Sequence, residues 1–242
     1  MRKLFFANWK TYLSDAEAET LTRLYVERST TSSIDLAIAP SFTALESIAH
    51  LVRGSAVALG AQDAFWNDEG AHTGEVTPKQ LAAAGASYVI VGHSERRAIG
   101  ETDELVVQKA AAVAADGMTP VLCVGETAQE RDASTQEQVV RTQLEAVIAS
   151  WAPEKPLVVA YEPRWAIGTG RPCNPADVAV MHAFIRRELD ARTLSARILY
   201  GGSVDPSNLM EYLAVPNVDG VLIGGASTRA EDVRAMFELL AK

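Results

Sequence analysis

The chain has 242 residues, 48% hydrophobic and 22% charged, which is the balance of an ordinary soluble globular protein able to bury a large core. Its formal net charge of −9 and the lack of any dense Lys/Arg run argue against nucleic acid as a partner, because a phosphate backbone needs a basic footprint. A small phosphorylated ligand is not excluded, since the field inside one site can differ in sign from the total.

At the N-terminus the apolar residues 4–7 read as a strand, and Asn8 and Lys10 cut the run too short for a signal peptide or a membrane span. Ser14-Asp15-Ala16-Glu17 is a capping box opening an amphipathic helix to about Arg28. Residues 34–39 are the second strand, 41–52 the second helix and 56–61 the third strand, followed by a long loop over 63–76. Thr77-Pro78 starts a short helix closed by Gly85. Residues 88–91 are the fourth strand, 103–116 a helix stopping at Gly117, and 120–124 the fifth strand. Ser134-Thr135-Gln136-Glu137 caps a helix to about Trp151, and 157–161 is the sixth strand. Asn174-Pro175 opens the next helix, 198–200 is the seventh strand, and Asp205-Pro206 opens the helix after it. Residues 221–223 are the eighth strand, and Thr228-Arg229-Ala230-Glu231 caps the last helix.

Eight strand–helix units with no composition shift between them predict an α/β chain with a parallel sheet. In this length they close into one (β/α)8 barrel domain over residues 1–242. An open doubly wound sheet would carry a Gly-rich nucleotide fingerprint after a strand, and neither G-x-G-x-x-G nor a P-loop occurs. Cys123 and Cys173 are too few for a disulfide framework and point to a reducing, cytoplasmic setting.

Chemistry in a barrel sits at the C-terminal strand ends, and the unusual residues fall there. Asn8-Trp9-Lys10 follows strand one, Gly92-His93-Ser94-Glu95-Arg96-Arg97 follows strand four, and Glu162 ends strand six. Gly201-Gly202-Ser203-Val204 and Gly224-Gly225-Ala226-Ser227 follow strands seven and eight. Each Gly-Gly alone is equally a tight turn, but two on neighbouring strands present bare backbone N–H groups to an oxyanion and argue for phosphate. Pro163 stiffens the backbone at Glu162, and the apolar Trp165-Ala166-Ile167 before Gly168-Thr169-Gly170 reads as a lid over residues 163–170. Lys10 supplies positive charge at the rim. His50, His72 and His182 have no partner constellation, and no metal-binding spacing occurs.

Together these motifs, with Cys123-Val124-Gly125-Glu126 and Tyr200-Gly201-Gly202-Ser203-Val204, closely resemble the triosephosphate isomerase family over essentially the whole chain. The resemblance implies a single-domain (β/α)8 TIM barrel that interconverts glyceraldehyde 3-phosphate and dihydroxyacetone phosphate. It implies Glu162 as the base, neutral His93 as the group polarising the carbonyl, and Asn8 and Lys10 as stabilisers of the enediolate. Glu95 would orient His93 and Lys10. A carboxylate base beside an uncharged imidazole is the pairing for which this family is known, and the resemblance alone brings it to Glu162 and His93. Gly168, Ser203, Gly224 and Gly225 would hold the phosphate, and Tyr200 and Ser203 would latch the lid. Loop 63–76 would join two copies into a homodimer, and no cofactor or metal would be needed. Four features depart from the family pattern: Arg164 in the lid hinge, Thr11-Tyr12 after Lys10, His72 in the long loop, and a slightly short chain. They leave open a paralogue acting on a four-carbon ketose phosphate (a tetrulose phosphate), beside a barrel that binds phosphate without catalysis.

Overall fold

The computed structural model describes residues 2–30, 33–167 and 172–241. Eight parallel strands form a closed barrel in sequence order, with the eighth pairing back to the first. The first half runs β1 (Leu4–Asn8), α1 (Asp15–Ser29), β2 (Asp35–Ala39), α2 (Leu45–Val52), β3 (Val57–Ala61), α3 (Pro78–Ala83) and β4 (Tyr88–Val91). After it come α4 (Ser94–Ala98), α5 (Asp103–Ala115), β5 (Thr119–Val124), α6 (Ala128–Asp132), α7 (Gln136–Ile148) and β6 (Val158–Tyr161). The chain closes with α8 (Pro175–Asp190), β7 (Arg197–Tyr200), α9 (Leu209–Ala214), β8 (Gly220–Ile223) and α10 (Ala230–Leu240).

Strand side chains alternate between two separate apolar layers, as the two-residue period of a strand requires. Leu4, Phe6, Ala37, Ile90, Val121, Cys123, Val158, Ala160, Leu199 and Leu222 fill the barrel. Phe5, Ala7, Leu36, Ile38, Val159, Tyr161, Ile198 and Ile223 face outward into the layer shared with the helices. Extending the inward parity past the strand ends brings Asn8, Gly125, Glu162, Gly201 and Gly224 to the barrel mouth. The alternation that builds the core therefore aims the rim.

Helix starts follow the sequence where a cap acts locally. Ser14 and Glu17 form the expected reciprocal box on α1, and Asn174 accepts from the Ala176 N–H with Pro175 in the first turn of α8. Four helices begin later than expected, because the residues before them are taken up in turns. The expected box at Ser134 and Glu137 is absent: Ser134 has φ +57° and the Thr135 hydroxyl donates to Glu130 O, so α7 starts at Gln136 and ends at Ile148. The Thr228 hydroxyl donates to Gly225 O inside a 3₁₀ turn, leaving α10 without a side-chain cap. Asp205 accepts from the N–H and hydroxyl of Ser207, which makes a turn, so α9 begins only at Leu209. Residues 41–44 likewise form a turn before α2. The two five-residue helices α4 and α6 escape the sequence reading because a single turn carries no usable periodicity.

Candidate active site

Glu162 sits at the inward position one residue past β6, and it is 2% exposed. Its Oε1 lies 3.0 Å from His93 Nε2, and its Oε2 accepts the Ser94 N–H at 2.8 Å. Two glycines make room for it. A Cβ on Gly125 would stand 1.7 Å from Glu162 O, and one on Gly201 would stand 2.9 Å from Glu162 Cγ.

His93 reaches the rim because Gly92, at φ +70°, breaks the strand alternation, a conformation that glycine adopts without steric cost. The ring then caps α4: its Nδ1 accepts the Glu95 N–H at 3.2 Å. With Nδ1 an acceptor, the ring proton is on Nε2 and points at Glu162. Burial opposes charge on the ring, but the Glu162 carboxylate more than offsets it and raises the His93 pKa. A second proton would have to go on Nδ1, where the Glu95 N–H already points, so the uncharged ring is the form this geometry holds. For Glu162, burial alone would raise the pKa. The neighbouring His93 with its Nε2–H, the Ser94 N–H and Lys10 outweigh it and hold the carboxyl below its usual range.

Lys10 adopts a left-handed φ of +48°, a conformation costing a non-glycine residue about 1–2 kcal/mol. The Gln62 amide donates to both Lys10 O at 2.7 Å and Ala39 O at 3.1 Å and fixes that turn. The Lys10 N–H donates to Asn8 Oδ1, and its ammonium lies 2.6 Å from Glu95 Oε1. Glu95 Oε2 is 3.7 Å from His93 Nδ1, so Glu95 touches both groups. The neighbouring arginines are braces. Arg97 holds Gly92 O at 2.8 Å and Asp103, while Arg96 reaches Asp63 at the start of the long loop.

Asn8, Lys10, His93, Glu162, Ser203, Gly224 and Gly225 all line one cavity of about 320 Å³. One wall is the bare backbone of the turns after β7 and β8, ending in the 3₁₀ turn Gly225–Thr228, where a barrel's phosphate site is usually built. Glu95 stands behind Lys10 and His93, outside that lining. Gly168 lies outside the described residues, as does the rest of the expected lid beyond Ile167. The flanks of the lid are described: the Ser203 hydroxyl donates to Ala166 O at 2.7 Å, and Tyr200 OH accepts the Cys173 N–H at 3.3 Å. Both cysteines are free and buried. His182, expected to be structural, is fully buried with Nδ1 on Asn217 O, and burial lowers its pKa to about 4. Among the described residues no group of three His, Cys, Asp or Glu could hold a metal ion, and no helix is long and apolar enough to cross a membrane.

Two contributors went unassigned in the sequence. Gln62 carries no motif that would mark it. Glu126, inside a recognised motif, is fully buried and accepts from Tyr161 OH, Trp165 Nε1 at 2.8 Å and Arg131 Nη1 at 3.3 Å. Glu126 O also takes the Arg164 N–H, so this residue anchors Arg164 and Trp165, at the start of the expected lid, by backbone and side chain together.

The sequence profile described as Triosephosphate isomerase matches residues 3–240. A triosephosphate isomerase of Herpetosiphon aurantiacus is 46% identical over 240 residues, covering 96% of each chain. Those of a Roseiflexus species (45%) and a Bradyrhizobium species (46%) each cover 98% of this chain and 97% of their own length. The chain belongs to the triosephosphate isomerase family.

Proposed function

We propose that this chain interconverts glyceraldehyde 3-phosphate and dihydroxyacetone phosphate, working as one barrel domain. The observation that carries the reading is the convergence of a buried carboxylate, an imidazole whose Nδ1 accepts a backbone N–H and an ammonium on one cavity walled by glycine backbone. Glu162 removes a proton from the carbon beside the carbonyl and returns it to the adjacent carbon. His93 donates its Nε2–H to the oxygen on which charge develops, and Lys10 and Asn8 stabilise the same enediolate. Gly168, Ser203, Gly224 and Gly225 bind the phosphate, and Glu95 orients Lys10 and His93. Without substrate, Nε2–H is spent on Glu162. A carbonyl that takes over that donor frees the carboxylate of one hydrogen bond and strengthens it as a base. The reaction needs only these proton transfers, with no cofactor or metal.

Loop 63–76 is the natural contact between two copies in a homodimer, and the cytoplasm is the natural setting for a chain with two reduced cysteines. Neither the cavity nor the relatives favour the four-carbon substrate or the idle barrel. The test is turnover. Glu162→Ala should cost about 10²–10⁴-fold in kcat with glyceraldehyde phosphate, and parent-like activity would remove Glu162 as the base. Sizing the purified protein checks the dimer.

A further inference from the structure

Arg164 is the least expected residue of the lid hinge. Its backbone is fixed, with the N–H on Glu126 O at 3.0 Å and Pro163 before it at φ −62°. Its half-buried guanidinium makes no hydrogen bond or ion pair among the described residues. It lines a cleft of about 360 Å³ beside the catalytic cavity, together with Ser94, Glu95, Thr127 and Trp165. Arg164, with no side-chain partner among the described residues, and Glu95 thus line the same small space.

Glu95 is committed elsewhere. Its Oε1 holds the Lys10 ammonium at 2.6 Å, and more than half of its side chain is exposed. That ammonium also stands only 3.6 Å from the point where a Gly224 Cβ would sit, so it borders the glycine wall. An incoming phosphate therefore competes with Glu95 for one ammonium. As Lys10 turns to the substrate, Glu95 loses its counter-charge and repels the bound anion. We propose that Arg164 is a positioning residue for Lys10: it takes up the Glu95 carboxylate when the phosphorylated substrate draws the Lys10 ammonium away. The exchange acts on bound substrate and transition state alike, so it appears in KM and not in kcat. The inference rests on Lys10 being the substrate's counter-charge.

The experiment is a double-mutant cycle of Arg164→Leu and Glu95→Gln, with Arg164→Lys alongside. It reads kcat, KM for glyceraldehyde phosphate, and the calorimetric Kd of inorganic phosphate. In the parent background Arg164→Leu should raise both KM and Kd by about two- to fivefold, the range of a partly exposed ion pair, with kcat unchanged. Arg164→Lys should restore most of that loss, and added salt should shrink it. In the Glu95→Gln background Arg164→Leu should change neither constant. An equal rise in both backgrounds would make Arg164 a general field cation and overturn the proposal. So would unchanged constants, or a loss confined to kcat. A parent that bound phosphate without isomerising the triose would instead sink the functional reading, and the calorimetric cycle would still decide the role of Arg164.

Discussion

Gly201→Ala adds one methyl group behind the Glu162 carboxylate, the proposed base, and changes nothing else. The new Cβ would lie 2.9 Å from Glu162 Cγ and 3.2 Å from Tyr161 O. Gly201 does not have a positive φ, so alanine meets no backbone strain and the perturbation is purely steric. Restoring ordinary contact moves the Glu162 methylene by about half an ångström, which is about the tolerance of a productive catalytic geometry. The carboxylate cannot follow freely, because His93 Nε2 and the Ser94 N–H hold its two oxygens. A 1 Å misplacement costs about a hundredfold in rate, so half of that costs about tenfold in kcat, or about 1.4 kcal/mol of barrier. Overpacking should also lower stability by about 1–3 kcal/mol. Steady-state kinetics in both directions, with thermal unfolding beside them, separate the two effects. Parent-like kcat in a folded Gly201→Ala protein would refute the claim that this glycine sets the position of the base.

A Cβ on Gly225 meets nothing within 4 Å, so Gly225→Ala should leave kcat and unfolding unchanged and raise only KM and the Ki of phosphate, as kinetics and calorimetry would show. Gln62→Ala removes two hydrogen bonds from the strained Lys10 turn and should cost about 1–3 kcal/mol in denaturant unfolding, with a higher KM. The Glu162 carboxyl has a pKa below its unfolded value. Its contribution to stability is therefore complete above the unfolded pKa of about 4.3 and is lost as pH falls through the folded value. The stability gap between parent and Glu162→Gln should accordingly narrow on acidification below about pH 5 in a urea titration. His182 runs the other way: folding lowers its pKa from 6.5 to about 4, so protonation favours the unfolded chain and stability falls as pH drops through that window. His182→Asn should flatten that part of the stability profile.

The strands were legible because each is a short apolar run with one buried face on either side. The same alternation carries Asn8 and Glu162 to the mouth. The site glycines were legible as pairs, since two bare turns on adjacent strands have few other uses. What failed was the capping chemistry. Ser134, Asp205 and Thr228 look like helix starts, but their side chains or backbones serve neighbouring turns instead.

By itself, then, the sequence determined the eight strand–helix units, the barrel they close into and the strand ends at which the unusual residues fall, because these depend on order along the chain. Only the tertiary structure decided that Glu126 anchors Trp165, that Gln62 secures the Lys10 turn and that Arg164 and Glu95 line one cleft. Such juxtapositions join residues about 40 to 70 positions apart, where no local pattern encodes the neighbour and only the folded chain brings the two together.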